Sequence, residues 1–222
     1  MVSRGVIPAG EVDVADVFGT LACRLPALTR EILDIPGFRR AAVLVPILDG
    51  PGGPSVLFTI RSAALRSHAG QIAFPGGRLE PGEDSVAAAL RETFEEVGLG
   101  LGSADVLGQL GDHPSPFGFV ATPVVARVPW PQTLTPDPGE VAATFEVPLA
   151  DLLAISPTSE ERQLLHYRRN LYSYRWREHD IWGFTGNVVK ELLDVLRGVS
   201  VTDRHGVGGA AGGTGSGGEA QT

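Results

Sequence analysis

The chain has 222 residues, of which 43% are hydrophobic, and a formal net charge of −8 at pH 7. This length and composition predict one globular domain with a substantial core. The negative charge and the lack of a basic stripe argue against a protein that binds nucleic-acid backbones. The longest uninterrupted apolar run, Ala41 to Leu48, is much shorter than the roughly 20 residues that a membrane span needs, so we expect no membrane partner.

Two further features favour a cytoplasmic location. Cys23 is the only cysteine, so no internal disulfide can form, which fits a reducing compartment. The first residues lack the apolar core of a secretory signal, because Glu11, Asp13 and Asp16 interrupt it. We therefore expect a cytoplasmic protein.

The first third of the chain predicts an N-terminal extension followed by a β-hairpin. Residues 1–37 form the extension, in which Leu21 to Leu33 could hold a short helix interrupted at Pro26. Ala41 to Leu48 is typical of a buried strand, and Ser55 to Ile60 is typical of its antiparallel partner. The glycine- and proline-rich residues 49–54 between them predict the turn.

The most informative stretch, Gly77 to Leu99, begins as a glycine-rich loop and becomes a helix near Asp84. The helix is predicted to end at Gly98, because glycine is the usual left-handed terminator. The stripe predicted to face the core comprises Val86, Leu90, Thr93, Phe94 and Val97. Three glutamates lie on nearly the opposite side, with small neighbours that leave them room: Glu92, Glu95 and Glu96, beside Ser85, Ala88 and Ala89.

This glutamate face is unfavourable as a purely structural element. Like charges at i,i+3 and i,i+4 each cost about 0.2–0.5 kcal/mol, and the glutamates sit at the negative end of the helix dipole. Arg91 can pair with Glu95, whereas Glu92 and Glu96 have no basic neighbour at helical spacing. One interpretation is a solvated acidic face. The other is a site for a hard divalent cation, which would cancel these penalties.

The stretch after the helix predicts a strand, a mobile loop near the substrate at His113 to Gly118, and a second strand at Val120 to Val128. Residues 129–139 form a proline-rich connection. A short strand at Val141 to Val147 and a helical turn at Leu149 to Ala154 are predicted to follow.

Residues 156–180 are polar and carry charges of both signs, which predicts a solvated hairpin or the edge of a homodimer rather than a nucleic-acid contact. Residues 181–186 end a strand and lead into a closing amphipathic helix at Asn187 to Leu196. Residues 198–222 are rich in glycine and are predicted to be disordered. The folded domain is therefore expected to span 38–197.

Gly77 to Leu99 resembles the Nudix box, Gly-x5-Glu-x7-Arg-Glu-U-x-Glu-Glu-x-Gly-U, where U is a bulky aliphatic residue. The matching residues are Gly77, Glu83, Arg91, Glu92, Glu95, Glu96, Gly98 and Leu99. Thr93 replaces the aliphatic residue at the first U. The resemblance implies an α/β protein with the Nudix fold, an α/β/α sandwich around a mixed β-sheet. It also implies hydrolysis of a diphosphate linked to another moiety, with Mg²⁺ or Mn²⁺ as cofactor.

Leu57 to Gly77 resembles the signature of the coenzyme A pyrophosphatase branch of this family, reading Leu-Phe-Thr-x-Arg-Ser-x3-Arg-x3-Gly-x3-Phe-Pro-Gly-Gly. Phe58 stands where leucine is usual. A similar Ile-Trp-Gly-x-Thr run at residues 181–185 extends the resemblance to roughly residues 40–196. The substrate-binding residues implied by this signature are Arg61, Arg66, His68, Gly70 and Phe74. Arginines suit this role because the guanidinium fork matches phosphate oxygens.

By the same resemblance, the metal would be held by the three glutamates and the glycine loop: Glu92, Glu95, Glu96, Gly76 and Gly77. A bound Mg²⁺ can polarise the diphosphate and lower the pKa of a bound water that attacks phosphorus.

The catalytic residues implied are Glu92, Glu140 and Arg91. Either Glu92 or Glu140 would be the general base, with Glu92 preferred because it lies in the box. Arg91 would act with Glu83 by bracing the loop against the helix.

Three functions remain open from the sequence. The first is hydrolysis of coenzyme A or acyl-coenzyme A to 3′,5′-ADP and 4′-phosphopantetheine or its acyl form. The second keeps the enzyme class but changes the substrate to ADP-ribose or another nucleotide diphosphate. The third is a non-catalytic domain that senses a nucleotide, which the intact box argues against. In each reading the partner is a small nucleotide.

Overall fold

The computed structural model describes residues 12–65, 69–102, 105–164 and 167–199. The main sheet has eight strands. They are β1 Arg39–Gly50, β2 Gly53–Arg61, β3 Ile72–Ala73, β4 Gly76–Arg78, β5 Val106–Gln109, β6 His113–Ser115, β7 Phe119–Pro129 and β8 Val141–Pro148. The predicted strands at 41–48, 55–60, 120–128 and 141–147 are confirmed within these bounds.

The central strand of this sheet is β1. It pairs in parallel with β7 from Arg39 to Asp49 and antiparallel with β2, so the sheet is mixed. β2 in turn pairs with β3 and β8, and β7 pairs with β5 and β6, all of them antiparallel. The order along the main path is β3-β2-β1-β7-β5.

The short strand β4 fills a gap beside β1. Ala41 to Val43 of β1 pair with β4, whereas Ile47 to Gly50 pair with β2 along the same edge. Between these two pairings the amide of Leu44 donates to the carbonyl oxygen of Pro75 at 2.8 Å. The glycine loop therefore enters the sheet where β1 and β2 diverge.

The described residues also form a second, antiparallel sheet of three strands and four α-helices. The strands are β9 Thr158–Leu164, β10 Tyr167–Trp176 and β11 His179–Trp182, and the helices are α1 Val17–Arg24, α2 Ser85–Val97, α3 Leu149–Ala154 and α4 Gly183–Arg197. The hairpin expected within 156–180 is confirmed as β9 and β10, while a dimer edge there stays a prediction. The closing helix begins four residues earlier than expected. None of the described helices is both long and apolar enough to cross a membrane.

Two hydrophobic layers separate the sheet from its helices. Val45 and Ile47 of β1 pack into the larger core with residues of α1 and α4. Ala42 and Leu44, whose side chains alternate with these, pack into a smaller core under α2. α2 thus covers one face, while α1 and α4 cover the other. This is the α/β/α sandwich that the resemblance implied.

Residues before β1 contribute to the larger core. Val17, Leu21 and Leu25 are all buried in it. The expected interruption at Pro26 is confirmed, but the expected start of the helix at Leu21 is wrong, because the apolar stripe that packs on α4 begins at Val17. The helix ends before Pro26, which has no amide hydrogen to continue it.

The loop expected at His113 to Gly118 is wrong at its beginning. His113 to Ser115 form β6, and His113 is only 2% exposed. Its Nε2 lies 2.5 Å from Oε2 of Glu191 on α4, and Arg169 of β10 contacts Nδ1. Because its two polar partners come from distant parts of the chain, local sequence could not indicate that this segment is buried.

Candidate active site

The helix that carries the glutamates is defined by its two caps. The Asp84 carboxylate accepts the amide of Ala87 at 2.8 Å, and Gly98 ends the helix with φ of 71°. The amide of Gly98 donates to the carbonyl oxygen of Phe94 at 2.9 Å. Both predicted boundaries of this helix are confirmed.

The predicted buried face of α2 is wrong in part. Phe94 is 61% exposed, and the side that contacts the sheet contains Ala88, Ala89 and Glu96. Small residues let the helix approach the sheet closely, which a phenylalanine would prevent. Glu96 therefore lies beside the helix–sheet contact rather than on an open face, and Glu92, one turn earlier, is on the same side.

The glycine loop fits tightly between β1 and α2. Gly76 has φ of 151°, and a Cβ atom there would overlap the carbonyl oxygen of Ala42 and the Cα of Val43. A Cβ atom on Gly77 would overlap the carboxylate of Glu92. Only glycine allows both close approaches, so the loop backbone directly faces the glutamates.

Glu96 is the most buried of the three glutamates, at 4% exposure. Its Oε2 accepts the amide of Gly76 at 3.1 Å, and its Oε1 lies 4.0 Å from Nη1 of Arg61. Burial raises its pKa to about 7, and the charges of Glu140 and Glu92 act in the same direction. The Gly76 amide and Arg61 oppose this rise without cancelling it.

Arg91 uses all five of its N–H groups. Nε and Nη2 form a bidentate pair with Glu83 at 2.9 Å each, and Nη2 also donates to the carbonyl oxygen of Arg78 at 3.0 Å. Nη1 donates to Glu92 at 3.0 Å and to Glu95 at 3.2 Å. A guanidinium so fully engaged supports the bracing role proposed for Arg91, since it has no donor left for a substrate.

The pKa of Glu92 is also raised. Burial is the largest cause, and the charges of Glu95 and Glu140 add to it, while Arg91 lowers it. Glu140 therefore lies close enough to act on both Glu92 and Glu96. The carboxylates gather on one side of the glycine loop, where burial disfavours the ionised forms of Glu92 and Glu96.

Backbone hydrogen bonds between residues 129–139 and the end of α2 position Glu140 near Glu92 and Glu96. The amides of Thr135 and Asp137 donate to the carbonyl oxygens of Val97 and Glu96, at 2.8 and 2.9 Å. These are two of the carbonyls that a helix end leaves without a partner. The proline-rich connection thus runs along the end of α2 and brings Glu140 to the cluster.

Ser62 fixes the same connection from the other side. Its amide donates to the carbonyl oxygen of Glu140 at 2.8 Å, and its hydroxyl donates to the carbonyl oxygen of Pro138 at 3.1 Å. Sequence reasoning missed Ser62 and Asp137 as residues that position Glu140. The only available signal was that Ser62 adjoins Arg61 in the branch signature.

The other predicted substrate residues lie in different places. Phe74 is 4% exposed and packs against Phe58 with ring centroids 4.9 Å apart, so its ring belongs to the core. Gly70 adopts φ of 73°, and its amide donates to the carbonyl oxygen of Arg61 at 3.0 Å. Arg66 and His68 lie outside the described residues.

Comparison with known proteins identifies the family. The model of the NUDIX domain matches residues 38–169, more than half of the chain. The chain belongs to the Nudix hydrolase family. The protein named Uncharacterized Nudix hydrolase NudL from Photorhabdus laumondii is 38% identical over 84% of this chain and 99% of its own. Its namesake from Cronobacter sakazakii is 43% identical over 69% of this chain and 81% of its own. The solved structure of the M. smegmatis Nudix hydrolase RenU is 26% identical, with a TM-score of 0.43 over 53% of this chain and 74% of that one.

Nudix hydrolases act on nucleoside diphosphate derivatives and generally use divalent cations, and the site has suitable donor chemistry. Glu92, Glu95 and Glu96 supply carboxylate oxygens, which Mg²⁺ and Mn²⁺ prefer. The raised pKa values of Glu92 and Glu96 mean that their ionised forms are disfavoured in the folded protein, and a bound cation would relieve this electrostatic penalty. No three acidic, histidine or cysteine side chains among the described residues already form a metal-ligand arrangement. Arg91 donates to Glu92 and Glu95, and the amide of Gly76 donates to Glu96, so all three carboxylates are held by hydrogen bonds.

Proposed function

We propose that this Nudix hydrolase cleaves the diphosphate of coenzyme A or acyl-coenzyme A, releasing 3′,5′-ADP and 4′-phosphopantetheine or its acyl form. The observation that carries the proposal is the position of Arg61. This arginine belongs to the branch signature, and its Nη1 lies 4.0 Å from Oε1 of Glu96. The positively charged guanidinium of Arg61 thus lies beside the carboxylate cluster, where it can bind the diphosphate of the substrate.

Arg61 retains hydrogen-bonding capacity. Among the described residues its buried Nε has no acceptor, and Glu96 lies at the distance limit of an ion pair. Its side chain is 28% exposed, so part of it is accessible to a ligand from solvent. Arg91, in contrast, has no free donor, so we assign substrate binding to Arg61 and bracing to Arg91.

Glu92, Glu95 and Glu96 are the residues that would hold the divalent cation, Mg²⁺ or Mn²⁺, together with the backbone of the Gly76–Gly77 loop. When bound, such a cation polarises the diphosphate and lowers the pKa of a coordinated water. The close contact of Gly77 with Glu92 keeps this part of the site free of side chains.

A carboxylate must also accept the proton of the attacking water. We propose Glu92 as this base, with Glu140 as the alternative. Glu92 lies in the box and is half-buried against the glycine loop. Glu140 comes from the connection that is clipped onto α2, and it could remain free of the metal.

Product analysis tests the substrate. The protein with Mg²⁺ is incubated with coenzyme A, acetyl-coenzyme A, ADP-ribose and a nucleoside triphosphate, and the products are separated by chromatography. We expect 3′,5′-ADP from the first two, with a higher kcat/KM than for the others. Arg61→Ala should lower kcat/KM by about tenfold or more, as expected for a lost hydrogen bond to a charged group. Arg162→Ala is the matched control, because Arg162 pairs with Glu160 on the exposed strand β9.

Two results would contradict the proposal. A higher kcat/KM for ADP-ribose than for coenzyme A would reassign the substrate. Equal kinetics for Arg61→Ala and the unmodified protein on coenzyme A would remove the structural support for the branch.

A further inference from the structure

Two exposed arginines and a half-buried phenylalanine form a cluster next to the glycine loop. The Cζ of Arg39 lies over the ring of Phe119, 4.5 Å from its centroid, and the Cζ of Arg78 lies 5.1 Å from the same centroid. Arg39 and Phe119 are paired across β1 and β7, while Arg78 is paired with Ala41, two residues along β1. Three different strands thus bring these side chains together on one face.

The cluster lies close to the candidate active site along the chain but on the other face of the sheet. Gly77 points toward Glu92, because a Cβ atom there would meet its carboxylate. Side chains alternate along a strand, so Arg78, the next residue, points to the opposite face. Among the described strands β4 pairs only with β1. The outer edge of β4 contacts α2, since the amide of Gly76 donates to Glu96 and Arg91 donates to the carbonyl oxygen of Arg78. Arg78 therefore contacts the candidate active site through its backbone while its side chain belongs to the cluster, so the width of one strand separates the two.

Among the described residues, the two arginines have no carboxylate partner of the kind that other arginines of this sheet have. Arg40 pairs with Asp112 at 2.8 Å, and Arg127 pairs with Asp49 while also stacking on Phe18. Within the described part of the chain, neither guanidinium of the cluster forms an ion pair or a side-chain hydrogen bond. Two positive charges side by side without a carboxylate partner form a local positive potential in a chain with a net charge of −8, and this favours an anionic ligand.

We propose that Arg39 and Arg78 bind a phosphate monoester of the substrate, separate from the diphosphate that is cleaved. This inference rests on the proposed function, because in coenzyme A the group is the 3′-phosphate of the ADP half. Guanidinium groups suit such a dianion, since each can donate two parallel hydrogen bonds to its oxygens. Phe119 holds the two side chains in place by cation–π contact, which limits the entropy that they lose on binding.

Kinetic selectivity tests this site. The ratio of kcat/KM for coenzyme A to that for 3′-dephospho-coenzyme A is measured for the unmodified protein and for Arg39→Ala and Arg78→Ala. The ratio should exceed one and should fall about tenfold in each variant, as expected for a lost hydrogen bond to a charged group. Arg78→Ala keeps the backbone carbonyl that accepts from Arg91, so the brace remains. Arg127→Ala, which also removes an arginine stacked on an aromatic ring, should leave the ratio unchanged.

A binding experiment separates this inference from the proposed function. Titration calorimetry compares 3′,5′-ADP with 5′-AMP on the full chain, where no hydrolysis is needed. Tighter binding of 3′,5′-ADP that is lost in Arg39→Ala and Arg78→Ala would support the site even if coenzyme A were not hydrolysed, an outcome that would remove only the proposed function. Equal binding of the two nucleotides, a selectivity ratio near one, or a ratio unchanged in both variants would overturn the inference.

Discussion

Replacing Glu96 by glutamine should stabilise the metal-free protein at neutral and alkaline pH. The carboxylate is 5% exposed, and its pKa is about 7 in place of 4.5. Each pKa unit corresponds to about 1.4 kcal/mol, so ionised Glu96 costs the folded state about 3 kcal/mol. Glutamine has nearly the same shape, and its side-chain oxygen can still accept the amide of Gly76.

The sign of the pH dependence follows from proton binding. Between pH 4.5 and about 7 the folded protein keeps the proton of Glu96 while the unfolded chain releases it, so stability falls as pH rises through this window. Glutamine does not titrate. The advantage of Glu96→Gln should therefore be near zero below pH 4.5 and should approach about 3 kcal/mol above pH 7. In a domain of this size that is a Tm increase of roughly 6–12 °C.

Thermal unfolding in the presence of a chelator at pH 5, 7 and 8 measures this effect. Glu95→Gln is the control, because Glu95 is 57% exposed and its loss should change stability little. With Mg²⁺ added, Glu96→Gln should lose the metal-induced rise in Tm and also the hydrolytic activity. A variant that is less stable than the unmodified protein at pH 8, or a gain that does not depend on pH, would refute the reasoning.

Three further predictions concern the substrate and the base. Arg66→Ala should lower kcat/KM on coenzyme A by about tenfold or more, and unchanged kinetics would separate Arg66 from the phosphates. Glu92→Gln, measured as rate against pH at saturating metal, should lose orders of magnitude in kcat together with the acidic limb, and the same loss in Glu140→Gln alone would make Glu140 the base. Ser62→Ala should lower kcat less in the Glu140→Gln background than in the unmodified protein, because Ser62 acts by positioning Glu140. Additive losses would contradict that coupling.

Local patterns predicted the glutamate helix well. Asp84 and Gly98 act through neighbours three or four residues away, so their roles as caps could be read from the sequence. The spacing of Glu92 and Glu96 likewise placed both on one side of the helix. The sequence did not indicate that Glu92 and Glu96 lie beside the sheet rather than on the open face of the helix. The side of the helix that contacts the sheet is decided by the small size of Ala88 and Ala89 rather than by hydrophobicity.

Contacts between distant residues were not predictable from local sequence. Glu140 reaches the cluster because the connection before it binds the end of α2, and the hydroxyl of Ser62 meets Pro138 from 76 residues away. His113 was expected in a loop because its buried partner, Glu191, lies 78 residues further along. Hydrophobic periodicity and turn residues in one sequence indicate local structure, and they do not indicate which distant residues pair.

The contact between α1 and the end of α4 limits where the chain can be shortened without disturbing the fold. Nη1 of Arg24 donates to the last carbonyl oxygens of α4, those of Val195 and Leu196, at 2.9 and 2.6 Å. The last residue of α1 therefore caps the end of α4, although the family pattern begins only at residue 38. A chain that begins at residue 38 would leave these carbonyl oxygens of α4 without Arg24 and the apolar side of α4 open to water, and a chain that also ends at residue 169 would lack α4 itself. The limits of the family's sequence pattern are thus narrower than the limits of the unit that unfolds cooperatively.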